Sequence, residues 1–353
     1  LNEKIFSKTT KYWKNISYDP LKVERKELTS ELEEFYLNKV ESNLCNIIKQ
    51  TSSADVEVGL FLSGGVDSSY LATQLTKNKD RQIKTFSMGF DQPEYDETEY
   101  SDEVSKILKT DHQKFICNSN DIYSIISNMD KIYSEPFADM SSIPTILLSR
   151  LTSNHVKVVL GGDGADEILG GYERYQKIFN EWNLINKAPI SIRKFISDST
   201  NILPIKPINI NTGNAYYEYR NSCWKQHKKI LITKLNSNKK AYINETDSIR
   251  NFLHFDQKNY LPGDILTKSD RASMSYGLEI RSPFLNGNLI ELLNKIPNKL
   301  FFKENTGKMV LSYLSSIKKS EKNKIYCLNE EYDKKILIIF ISKIGSFNET
   351  ESL

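Results

Sequence analysis

The sequence is poor in the features that would settle its class quickly. No apolar run approaches the roughly 20 residues that cross a bilayer; the longest, residues 336–341, reads as a buried strand or helix segment. The first twenty residues are polar and aromatic, unlike a secretory leader. Cys45, Cys117, Cys223 and Cys327 lie far apart with no C-x-x-C pair, so neither a zinc knuckle nor an iron–sulfur site is suggested, and a reduced, cytoplasmic setting fits best. His112, His155, His227 and His254 are equally scattered and read as structural or surface groups. Charge of one sign is lacking as well. Lys plus Arg number 48 against 45 Asp plus Glu, a net +3, so nothing demands nucleic acid or an acidic membrane as partner. At 353 residues the chain is long enough for one large or two ordinary domains. It begins at Leu1, not Met, as expected of a fragment of a longer protein.

What is present centres on residues 58–69. The apolar run Val58, Gly59, Leu60, Phe61, Leu62 enters Ser63-Gly64-Gly65-Val66-Asp67-Ser68-Ser69, and Leu71, Ala72 and Leu75 follow at helical spacing. This reads as strand, tight turn, helix. Paired glycines let the backbone turn and approach a ligand, and the N-H groups of the first helical turn suit an anion. No Gly-Lys-Ser/Thr follows, so the loop is not a Walker A loop, and it is not G-x-G-x-x-G either.

Alternation around this loop gives the fold class. A helix is predicted over 27–50 from Leu28, Leu32, Phe35, Val40, Leu44 and Ile47. Strands are predicted at 83–88, 114–117 and 156–160, with helices at 95–109, 120–133 and 143–151. Strands separated by helices imply an α/β fold, a parallel sheet with helices on both faces, and a ligand beyond the carboxyl ends of the strands. A second glycine-rich turn, Leu160-Gly161-Gly162-Asp163-Gly164-Ala165-Asp166-Glu167, falls at such an end. Three acids in five residues suit a bound cation or cationic ligand. Beyond it the chain reads as mainly helical, with Tyr172, Tyr175, Phe179 and Trp182 on one packing face.

Ser-Gly-Gly-x-Asp-Ser resembles the loop of the ATP pyrophosphatase group, which splits ATP between its α and β phosphates. Together with 86–90, 158–172, 261–285 and the pair Gly307-Lys308, the chain resembles the synthetase domain of glutamine-dependent asparagine synthetases. That resemblance implies an adenine-nucleotide-hydrolase-like sheet, ATP and Mg²⁺ as cofactors, and aspartate and ammonia as reactants. Ser63, Gly64, Gly65, Ser68 and Ser69 would hold pyrophosphate; Asp67 and Asp166 would bind magnesium. Leu60, Leu62, Met88, Gly161 and Gly162 would line the nucleotide pocket, and Lys308 would contact the phosphates. Asp163 stands where many members carry Glu, a residue placed to deprotonate ammonia, and is one methylene shorter. Asp270, Arg271, Glu279 and Arg281 would shape the acceptor side or form structural ion pairs.

The resemblance divides the chain into a linker over 1–26 from an absent glutaminase domain, a synthetase domain over 27–315 and a divergent tail over 316–353. Ammonia would then come from a glutaminase domain or subunit, or from elsewhere; a homodimer is a further expectation. Asn286 replaces the usual Asp, and the residues after 315 lack the family's Arg-x-Lys-x-Gly-Phe-like stretch. Three alternatives stay open. One is the same chemistry on a sugar acid, a β-lactam precursor or a peptide; the others are a tRNA-modifying ATP pyrophosphatase and a non-catalytic partner subunit.

Overall fold

The computed structural model describes residues 29–77, 82–92, 96, 98–193, 210–221, 248–302 and 310. Lys308 and the segment 336–341 lie outside them.

Helix α1 (Ser30–Thr51) opens the fold, capped by Thr29, whose hydroxyl accepts from the Leu32 N–H. Its buried stripe is Tyr36, Leu37, Val40, Leu44, Ile47 and Ile48. Phe35, expected inside, is 56% exposed instead, under the Lys39 ammonium. Tyr36 and Leu37 take the inward positions because they, one and two places on, stay in phase with Val40 and Leu44.

Then come β1 (Val58–Phe61), α2 (Val66–Lys77), β2 (Lys84–Phe90), α3 (Thr98–Leu108) and β3 (Asp111–Cys117). Helices α4 (Ser119–Ile126), α5 (Met129–Ile132) and α6 (Ser142–Thr152) lead to β4 (Val158–Leu160). The single helix predicted over 120–133 is thus two. Ser127 Oγ and Asn128 Nδ2 bond back to the Tyr123 and Ser124 carbonyls at 2.9 and 2.8 Å, and such local side-chain bonds compete with helix continuation.

Beyond β4 the chain is mostly helical: α7 (Ala165–Leu169), α8 (Glu173–Ile185), α9 (Gly213–Asn221), α10 (Ile249–Lys258), a π-helical turn (Leu261–Ile265) and α11 (Leu266–Met274). A last strand, β5 (Glu279–Arg281), precedes a 3₁₀ turn (Pro283–Leu285) and α12 (Gly287–Leu293). Tyr175 and Trp182 are fully buried in the helical part, with Tyr172 and Phe179 packed on them, as their spacing predicts.

All five strands are parallel, in the order β3-β2-β1-β4-β5. The chain leaves β1 for β2 on one side and later returns to β4 on the other, so the strand order reverses at β1. Ligands in such sheets bind where the order reverses, beyond the carboxyl ends. The central strands carry the continuous apolar runs that burial on both faces requires: Leu60, Val159 and Leu160 are fully buried. No helix among the described residues is long and apolar enough to cross a membrane.

Candidate functional site

The loop after β1 is braced by its own hydroxyls. The Ser63 N–H donates to Ser68 Oγ at 3.2 Å, Ser68 Oγ–H donates to the Gly65 carbonyl at 3.2 Å, and the Gly65 N–H donates to Ser63 Oγ at 3.3 Å. Gly64 has φ +78°, and a Cβ there would stand 2.5 Å from Tyr100 Cβ, so both the turn and the packing of α3 require glycine. These bonds fix the N-terminus of the twelve-residue α2, whose dipole favours an anion, at the mouth of a cavity of about 550 Å³.

The cavity lies between the ends of β1, β2 and β4. Of the residues expected there, Leu62, Ser63, Gly65, Asp67, Ser68, Met88, Gly161, Gly162 and Asp163 line it. Leu60, Gly64, Ser69 and Asp166 do not: Leu60 and Ser69 are fully buried, and Asp166 is half-buried in the first turn of α7. The two loops touch closely, since a Cβ on Gly162 would stand 3.4 Å from Asp67 Cβ. Gly164 turns at φ +85°, with Leu285 seated where its side chain would be.

A second cavity of about 740 Å³ opens beside the first, and Asp163, Ser269 and Ile280 belong to both walls. Asp270, Arg271 and Glu279 line it, as do Tyr133 and Phe137, whose rings stack at 4.5 Å. Arg281 does not. Its guanidinium donates to the Thr51 and Ser53 carbonyls at 3.0 and 2.9 Å and to Glu279 at 2.6 Å, tying β5 to the end of α1.

Burial pushes the Asp163 carboxyl above the ordinary carboxylate range, against a bond to Ser269 and the charge of Lys268. A base poised nearer neutrality transfers protons more effectively. Lys268 is a site residue that the sequence does not disclose. It lines the nucleotide-sized cavity, and its ammonium donates to Asp139 Oδ2 at 2.8 Å and Ser141 Oγ at 2.7 Å. Burial works to raise the Asp139 carboxyl, but the bonds it accepts from Lys268 and from the Ser141 hydroxyl and N–H outweigh it and hold it low.

A buried polar knot ties α7 to the helical part. Tyr172 donates to Glu167 at 2.6 Å, and Asp256 Oδ2 accepts from Arg174, Tyr175 and Tyr217 at 2.7, 2.9 and 2.7 Å. No three His, Cys, Asp or Glu side chains among the described residues gather into a metal-holding group. The donor set fits magnesium carried by a nucleotide, which needs only one or two carboxylates beside phosphate oxygens, and not a metal caged by protein alone.

A parallel sheet whose hydroxyl-rich loop and acidic loop meet at the strand-order reversal defines an α/β protein of the nucleotide-hydrolase type. The chain belongs to the asparagine synthase family, which it matches over residues 39–314. It is 27% identical to asparagine synthetase [glutamine-hydrolyzing] 1 of Bacillus subtilis over 325 residues, covering 86% of this chain and 49% of that protein. To a putative asparagine synthetase [glutamine-hydrolyzing] 2 of Methanocaldococcus jannaschii it is 34% identical over 206 residues, 58% of this chain and 37% of the other. It therefore spans half or less of the length of these relatives.

Proposed function

We propose that the chain is an ATP-dependent amide-forming ligase that converts aspartate to asparagine. The aspartate side-chain carboxylate attacks the α-phosphorus of ATP, giving β-aspartyl-AMP and releasing pyrophosphate. Ammonia then adds to the activated carbonyl, loses a proton and expels AMP. A carboxylate is a poor electrophile, and adenylation supplies the leaving group it lacks.

The observation that carries this reading is the shared wall: Asp163 faces both the cavity beside the hydroxyl loop and the larger one beside it. Nucleotide and acceptor would meet at that carboxylate. In this reading Ser63, Gly65 and Ser68 take the pyrophosphate, while Leu62, Met88 and Gly162 take the adenosine. Asp67, in the cavity wall, would hold magnesium, whose positive charge offsets the negative charge of the triphosphate, and Asp166, outside that wall in the first turn of α7, would join it only from behind the loop. Lys268, and Lys308 from outside the described residues, would add cationic stabilisation to the departing oxygens. Asp163 takes the proton from attacking ammonia. Asp270, Arg271 and Glu279 would orient the acceptor's amino and carboxyl groups. The names of the relatives suggest glutamine as the ammonia source, through a glutaminase unit acting with this chain.

One observation favours a second reading. The acceptor-side cavity, at about 740 Å³, is roomier than the nucleotide-side cavity at about 550 Å³, which suits a bulkier carboxylate acceptor undergoing the same chemistry. Pyrophosphate release in ammonium buffer, with and without aspartate and beside Asp67→Ala, separates the two. Release that needs aspartate and Asp67, with asparagine formed, supports the first; ATP binding without aspartate-dependent release discards it for another carboxylate.

A further inference from the structure

The wall shared by the two cavities stands on two weak elements. Helix α7 is five residues long between two left-handed glycines, Gly164 at φ +85° and Gly170 at φ +73°. Helices that short do not hold themselves in water. The π-helical turn Leu261–Ile265 is a single irregular turn with Pro262 and Gly263 within it, and it feeds α11, which carries Lys268 and Ser269. Ties from outside must fix both, and one corner supplies them.

Glu167, 1% exposed, accepts from the Tyr172 hydroxyl at 2.6 Å, a length typical of an O–H bonded to a carboxylate, and its carbonyl accepts from Gln257 Nε2 at 2.9 Å. The Tyr172 ring meets the Tyr260 ring edge to face, with centroids 6.2 Å apart. Arg174 lies against both. Its guanidinium carbon is 3.9 Å from the Tyr172 centroid and 4.9 Å from that of Tyr260. The fork is held in turn, since Nε donates to Tyr217 at 3.0 Å and a terminal nitrogen donates to the buried Asp256 at 2.7 Å. A planar guanidinium can offer its face to rings while its edge is bonded in this way; an ammonium cannot. Glu167, Tyr172, Arg174 and Tyr260 line neither cavity.

These contacts close a ring behind the site. The chain runs from Asp163 to Glu167, side-chain contacts lead through Tyr172 and Arg174 to Tyr260, and the chain runs on to Ser269, which bonds the Asp163 carboxyl. We propose that Arg174 is a positioning residue that holds the acid loop and α11 at one spacing, so that Asp163 and Ser269 stay together in the shared wall. What that wall is for rests on the ligase reading above; the ring itself does not. The hydroxyl loop lies outside the ring, braced by its own bonds. Losing Arg174 should therefore spoil reaction with the acceptor and spare the binding of nucleotide.

The test compares the full chain as parent, Arg174→Met, Tyr260→Leu, the double variant and Tyr175→Phe. Tyr175→Phe removes another bond to Asp256 and leaves both ring contacts, so it is the control for a merely loosened helical part. Hydrogen exchange over 163–172 and 261–269 should quicken in Arg174→Met and Tyr260→Leu and keep the parent's rate in Tyr175→Phe. Aspartate-dependent pyrophosphate release should fall about tenfold in the first two, the scale of a small misplacement, with ATP affinity as in the parent. The double variant should be no slower than the slower single one, because both changes break one contact. Tyr260→Leu leaves the Asp256 bonds intact and carries the test should Arg174→Met not fold. Unchanged exchange, exchange that quickens equally in Tyr175→Phe, multiplied losses in the double variant, or ATP binding that weakens in step with the rate overturns the assignment. Exchange that responds as expected in a protein whose parent releases no pyrophosphate with aspartate discards the ligase reading and leaves the ring standing.

Discussion

The Lys268 ammonium stands 2.8 Å from Asp139 Oδ2, joining α11 to the segment before α6 across 129 positions of sequence. Both side chains are largely buried, 12% and 20% exposed. The pair thus places a fixed cation in the cavity wall, near enough to Asp163 to oppose the effect of burial on that carboxyl.

Removing the cation should therefore damage stability and chemistry together. Lys268→Met leaves the Asp139 carboxylate without its main partner, at a cost of about 1–3 kcal/mol, read as a lower melting temperature. Pyrophosphate release should fall more than tenfold. Lys268→Arg, which keeps the charge, should recover most of the stability and part of the rate.

Asp163 should report its own titration. Its carboxyl is raised by burial, so its proton is held more tightly in the folded chain than in the unfolded one. That stabilising contribution is complete below the unfolded value and is lost as pH rises through the folded one. Asp163→Asn should accordingly melt higher than the parent at neutral pH, and the gap should close as pH falls to the ordinary carboxylate range. The acid limb of the parent's pH–rate profile should lie above that range, and the variant should lose most of its turnover with ammonia.

At Gly164 two constraints coincide. The φ of +85° strains any L side chain, and a Cβ would stand 2.2 Å from Leu285 Cδ2. Gly164→Ala should cost about 1–3 kcal/mol in chemical denaturation. Adding Leu285→Ala should remove the collision but not the backbone strain, so the double variant should cost less than the sum of the two single changes.

The buried His254 should give an acid-side slope to stability. Burial, working against the bond its ring N–H donates to Asn294 Oδ1, pushes its pKa from 6.5 down to about 4. Its neutral form stabilises the fold fully above the unfolded value, and the contribution is lost as pH falls from about 6.5 towards 4. The loss is about 1–3 kcal/mol, allowing for partial exposure. His254→Gln should flatten the dependence of melting temperature on pH over that interval.

The glycine and acid motifs are legible in the sequence because each follows a short, continuous apolar run, and such runs are what a doubly covered parallel strand needs. Val58–Phe61 and Val158–Leu160 are those runs. β5 is not legible. Glu279–Arg281 is three residues, two of them charged, and becomes a strand through its pairing with β4, where Val159 faces Ile280. Phe35 shows the limit of spacing alone, since apolar positions at three-to-five-residue intervals leave the exact face of α1 undecided. Lys268 has no local signature at all, because it owes its setting to Asp139, distant in sequence.

The shared wall has an evolutionary consequence. One cavity draws mainly on chain before residue 163, and the other mainly on 133–137 and 262–285, with Asp163, Ser269 and Ile280 as the seam. On the proposed reading, substitutions in the later segment change which carboxylate is activated and leave the activating half intact, so a lineage built this way changes its acceptor without relearning how to use a nucleotide.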